Sequence, residues 1–176
     1  MSSDNMTDHN IDELFEFDSE RELIGGRFFS LEEAYHSQHQ KIAFRIKKQL
    51  SKNLTNDSFQ TVMYPFFLKI TDKDVVKPDV MLTSEFNEDE HYTKIPEIVV
   101  EVLSVSTSFK DNEVKLKLYE QEKILYYMII DPKIGDIKIY KYEDDKYNLV
   151  ASPQKRSQFE FMLSNGKTSI DFNNVY

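Results

Sequence analysis

Apolar or aromatic side chains recur at Leu31, Tyr35, Ile42, Ile46 and Leu50 with helical period, and Ser30 followed by Glu33 has capping-box spacing. Together they predict a helix over 31–52. Three runs rich in Val, Ile, Phe and Tyr come next: FQTVMYPFFLKI at 59–70, VVKPDVML at 75–82 and IPEIVVEVLS at 95–104. They read as consecutive sheet strands. The link TDKD at 71–74 is short and polar, so the first two runs are expected to be antiparallel neighbours across a hairpin. A second capping signal, Ser108 with Asp111, opens a helix over 109–122. ILYYMIID at 124–131 is a continuous apolar run suited to a strand buried on both faces.

The flanks are simpler. RELIGGRFF at 21–29 sets a Gly-Gly pair between apolar residues and reads as a hairpin turn or a bend between short strands. Residues 136–142 and 146–151 alternate around Glu143-Asp144-Asp145 as a terminal hairpin, and 160–172 is expected to add one more strand. Residues 1–18 show no clear period. They read as an acidic, mobile arm or, because Ile11, Leu14, Phe15 and Phe17 are apolar, as a short docking helix. The remainder, 19–176, is expected to form one domain.

Composition supports that picture. A chain of 176 residues with 40% hydrophobic and 30% charged residues, and few Gly or Pro, is globular and fits one domain better than two. The absence of cysteine excludes disulfides and thiolate metal sites. With no signal-peptide pattern at the N-terminus and no apolar run of membrane-spanning length, a soluble, cytoplasmic protein is expected. The net charge of −9 cuts against a nucleic-acid partner. Yet the acids pool at 4–20, 85–90 and 143–145, while Lys41, Arg45, Lys48 and Lys52 form one cationic stripe on the first helix, suited to DNA phosphates or to plain solvation.

The chemistry concentrates on two strands. Pro78 removes a ladder donor and so marks an edge or bulge beside Asp79. Along PEIVVEVLS, Glu97, Val99, Glu101 and Leu103 point one way and Ile98, Val100 and Val102 the other, so Glu101 stands among apolar neighbours. Burying such a carboxylate unpaired is costly, and coordinating a cation offsets that cost. Asp79 on the neighbouring strand could share the ion. Hard oxygen ligands suit Mg²⁺ or Mn²⁺, and the expected reaction is phosphodiester hydrolysis.

A PD dipeptide on one strand and a glutamate on the next, between two helices, resembles the PD-(D/E)XK nuclease superfamily. The stretch IPEIVVEVLSVSTSFKDNEVKLKLYEQEKILYYMIIDP is more closely similar to the Uma-two family of predicted restriction endonucleases, at Ser104 to Thr107, Asp111, Lys115, Tyr119 and Asp131-Pro132. RELIGGR and SQHQKI extend the likeness. Val105 and Gly25 depart from the family's usual Pro and Asp. The resemblance implies an α/β (α+β) fold with a restriction-endonuclease-like αβββαβ core, a mixed central sheet flanked by helices, and β additions at both ends. It implies a metal-dependent endonuclease acting on DNA, with Asp79, Glu101 and the Val102 carbonyl on the metal. The superfamily's lysine position, two residues after the glutamate, holds Leu103. The family pattern moves that lysine to Lys115, which would orient the attacking water and help deprotonate it. Lys110, at the start of the helix, and Lys117, rotated by roughly 200°, would not share that direction.

Glu22 and His39 match family positions near the site and could support a second ion or a phosphate. Each also has a plainer reading, Glu22 as a solvent-facing strand acid and His39 as a core group on the helix seam. Asp111 suits the first helical turn, where the macrodipole favours a negative charge, and Tyr119 suits packing. A nuclease fold that binds without turnover stays open, given Leu103 and the acidic charge. A homodimer would suit the cutting of two strands.

Overall fold

The computed structural model describes residues 21–30, 37–63, 65–84, 91–104, 110–153 and 157–176. The expected N-terminal arm, Glu33 and Ser108 of the two predicted helix caps, and residues 31–36 of the predicted first helix lie outside these residues. Strands β1 (Arg21–Ile24) and β2 (Arg27–Ser30) form the first hairpin, and helix α1 covers Ser37–Lys52. Gly25 and Gly26 both take positive φ, 57° and 72°, which is the geometry a tight two-residue turn demands.

The two predicted strands at 59–70 and 75–82 form the expected antiparallel arms, but each divides between two sheets. The first becomes β3 (Gln60–Met63) and β4 (Phe67–Thr71), and the second β5 (Asp74–Val76) and β6 (Val80–Thr83). β4 pairs with β5 and β3 pairs with β6. The breaks fall at Pro65 and at Lys77-Pro78-Asp79, where a missing N–H ends the ladder. β7 (His91–Tyr92) and β8 (Ile98–Val102) follow.

The 110–121 segment is helical as expected, but its first part is a π-helix, Lys110–Lys115, and only Leu116–Gln121 is α-helix, α2. β9 (Tyr126–Asp131) and the hairpin of β10 (Asp136–Glu143) and β11 (Lys146–Ala151) match their sequence patterns. The single strand expected at 160–172 is instead a hairpin, β12 (Gln158–Leu163) and β13 (Gly166–Asp171). Ser164 and Asn165 form the turn between its arms, and Gly166, which opens β13, takes φ 115°.

A mixed six-stranded sheet, in the order β11-β10-β9-β8-β6-β3, is the centre of the fold. The β8–β9 pair is parallel and the others antiparallel. One face carries Val80, Val100, Val102, Met128 and Ile130 against Ile42, Ile46 and Leu50 of α1 and Phe161 and Ile170 of the last hairpin. The opposite face carries Met81, Val99 and Ile129 against Leu118 and Tyr119 of α2 and Leu68 and Val76 of a five-stranded sheet ordered β2-β1-β5-β4-β7. This is the α+β, helix-flanked mixed sheet with terminal β additions that the sequence predicts. No helix among the described residues is long and apolar enough to cross a membrane.

Candidate active site

The site forms where the chain steps from the smaller sheet to the larger one. Val80 pairs with Val100, so continuing the antiparallel register by one residue sets Asp79 opposite Glu101. Past the end of that ladder the Val102 amide needs another acceptor, and Asp79 Oδ2 supplies it at 2.7 Å. The same oxygen stands 3.2 Å from His39 Nε2 at the start of α1. His39 also hydrogen-bonds the Val102 backbone. The histidine is therefore fixed to Asp79 and to the Val102 backbone, two of the three groups that the resemblance assigns to a metal.

Glu101 projects from the other face of β8 into a buried charged cluster. Lys115 Nζ lies 2.7 Å from Glu101 Oε1 and 2.8 Å from Glu22 Oε1, and Asp111 Oδ1 is 3.4 Å away. The Tyr119 hydroxyl donates to Glu101 Oε1 at 3.0 Å. Glu22 arrives from β1 of the smaller sheet, where the Lys77 amide donates to its Oε1 at 2.7 Å. Lys110 Nζ sits 2.5 Å from Glu22 Oε2. Charges thus alternate from Lys110 through Glu22 and Lys115 to Glu101, and all four side chains are at most 6% exposed.

Four carboxylates, Glu22, Asp79, Glu101 and Asp111, gather here around two ammoniums, Lys110 and Lys115. The protonation preferences follow. Burial pushes the Glu101 carboxyl well above its ordinary range, because Lys115 offsets that effect only in part and Asp111, Asp79 and Glu22 repel a further charge. Burial acts on Glu22 too, but the two ammoniums outweigh it and hold its pKa below the usual value. Desolvation opposes a charged Lys115, yet Glu101, Glu22 and Asp111 keep its pKa well above that of ordinary lysine. For His39, burial is overcome by the Asp79 hydrogen bond, and the pKa rises. Among the described residues, no group of three or more His, Asp or Glu side chains is arranged to hold a metal ion by itself.

Asp79, Glu101, Val102, Lys115, Glu22, His39, Asp111 and Tyr119 thus lie together in the fold. The plainer reading of Glu22 does not hold, since Glu22 is fully buried, whereas Tyr119 packs in the core as expected and also bonds Glu101. Lys41, Arg45, Lys48 and Lys52 are exposed along α1. At about 100° per residue they point away from the sheet, opposite His39.

The expectation for Lys110 is overturned. Turns closed by i→i+5 bonds are wider than α turns, and they bring residues 110 and 115 to one side. Lys117, on regular α-helix, is exposed as expected. Nothing in the local pattern of KDNEVK marks a π turn, so the sequence carries no local signal for Lys110.

Against known proteins, the Uma2 family, described as "putative restriction endonuclease", matches residues 11–164. A crystal structure of a "putative nuclease" belonging to DUF820 from Anabaena variabilis is similar in fold. Its TM-score is 0.69 at 12% sequence identity, over 85% of this chain and 87% of that one. No curated protein matches the chain.

Proposed function

Because the chain belongs to the Uma2 family, we propose that it is a metal-dependent endonuclease that hydrolyses DNA phosphodiesters by PD-(D/E)XK-type chemistry. The observation that carries this reading is the placement of Lys115. Its ammonium stands 2.7 Å from Glu101 although it comes from a helix rather than from position 103 of the strand.

Mg²⁺ or Mn²⁺ fits the donor set, because the carboxylates of Asp79 and Glu101 and the Val102 backbone offer hard oxygen donors in a largely buried setting. Asp79, Glu101 and the Val102 carbonyl would hold the ion. Among the described residues, Asp79 Oδ2 and Glu101 Oε1 accept bonds from Val102, Lys115 and Tyr119, so the metal would take the partner oxygen of each carboxylate. When bound, the ion would neutralise charge on the scissile phosphate and acidify a water.

The protein's own groups do the rest. Lys115, kept protonated by its carboxylate partners, would act as a donor that orients the attacking water or a phosphate oxygen. Tyr119 fixes the rotamer of Glu101. His39 fixes Asp79 against the Val102 backbone.

Binding without turnover is the second reading, and it rests on Leu103 and the net charge of −9. Incubating single- and double-stranded DNA of mixed sequence with Mg²⁺ or Mn²⁺ separates the two. Cleavage that disappears with chelator and in Glu101→Ala supports the nuclease. Metal-independent cleavage, or none under any of these conditions, rejects it.

A further inference from the structure

Glu22 carries one ammonium on each oxygen, Lys110 on Oε2 at 2.5 Å and Lys115 on Oε1 at 2.8 Å. Lys115 is drawn in turn by two carboxylates at nearly equal distances, 2.8 Å to Glu22 and 2.7 Å to Glu101. That balance depends on how much of the charge on Glu22 is cancelled from its far side. In a buried cluster the pull of an uncompensated carboxylate on an ammonium far exceeds thermal energy. Lys110 is the side chain against that far oxygen, and the π turn delivers it. On a regular α-helix residues five apart would diverge by about 140°. π segments are rare, and they occur frequently at functional sites.

Taking from the nuclease reading what Lys115 does, we infer that Lys110 is a positioning residue, which discharges Glu22 so that Lys115 remains on Glu101. The pair Lys110–Glu22 is then a device for aiming another lysine rather than a stabilising ion pair. Buried pairs are in any case weak contributors to stability once their desolvation is counted.

The test uses the full chain and two readouts. In Lys110→Met, kcat should fall by about 10–100-fold, the range for loss of a group that orients a functional one, with KM unchanged. Lys110→Arg, which keeps the charge, should retain most of the rate. The second readout needs no turnover: the ¹H–¹⁵N resonance of the Lys115 ammonium, assigned by its loss in Lys115→Arg. It should shift in Lys110→Met and return toward its wild-type position in Lys110→Met with Glu22→Gln, where no charge is left to pull. If Lys110→Met does not fold, Lys110→Gln gives the same reading, since it keeps a donor for Glu22 without the charge. A folded, uncharged variant whose Lys115 resonance stays at the wild-type position overturns the inference. A wild-type protein without nuclease activity overturns the nuclease reading instead, and the resonance still decides the role of Lys110.

Discussion

The two sides of β8 are equally buried but differently filled. Ile98, Val100 and Val102 meet α1 and the C-terminal hairpin in a layer of apolar contacts, whereas Glu101 meets a fully buried lysine, a buried glutamate and a tyrosine hydroxyl. The apolar side needs only shape and volume, and many residues could fill it. The charged side needs every partner, since removing one leaves an unpaired charge in a dry setting. A fold gains nothing in packing from such a cluster, so the charged group around Glu101, rather than the apolar contacts beside it, marks where the sheet's function lies.

The most severe way to break this comparison is to neutralise the carboxylates. Asp79→Asn and Glu101→Gln should each reduce metal-dependent cleavage by more than the roughly 10–100-fold typical of an outer-shell group, with the circular dichroism spectrum unchanged. A variant at wild-type rate would remove that residue from the site.

Truncation on the apolar side should do the converse. Ile46 is fully buried, and Ile46→Ala should lower the unfolding free energy by about 2–5 kcal/mol in urea titrations while the protein that remains folded cleaves normally. A loss of kcat without a loss of stability would show that the two faces are not separable.

A gentler probe is pH. The Glu22 pKa lies below its ordinary value of 4.5 in the folded chain, so below pH 4.5 the unfolded chain binds more protons than the folded one. The contribution of Glu22 is present above that pH and lost as pH falls through the folded value. Acid unfolding of the wild type should accordingly be steeper than that of Glu22→Gln below pH 4.5. Identical slopes would deny Glu22 its two ammonium partners.

The smallest expected effect belongs to the α1 stripe. Replacing Lys41 and Arg45 together should weaken DNA binding alike on all sequences and flatten the salt dependence by a slope of about 0.9 per lost phosphate contact. An unchanged slope returns the stripe to solvation, which its position opposite His39 would explain.

Much of this contrast is legible along the chain. Alternation in PEIVVEVLS placed Glu101 apart from Ile98, Val100 and Val102, and the Gly-Gly pair of RELIGGR marked the first hairpin, because both signals are local. The division of two strands between two sheets was less visible. Pro78 announces a break, but where the chain goes afterwards depends on how the sheets pack. The last hairpin carried a signal, Asn165-Gly166, that a single-strand reading passes over. Lys110 and the buried state of Glu22 were beyond reach, since β1 and the π turn meet only in the folded chain.

The central claim is that Lys115 supplies from a helix what Leu103 does not supply from the strand. The direct measurement is the single-turnover cleavage rate of Lys115→Ala, with its Mn²⁺ affinity measured alongside and Leu103→Lys added in a double variant. Leu103 follows Glu101 by two residues and packs on the same face of the sheet, so a lysine there would approach the same carboxylate. The account predicts a strong fall in rate with nearly unchanged metal affinity, and partial recovery in the double variant. Full activity of Lys115→Ala would contradict it.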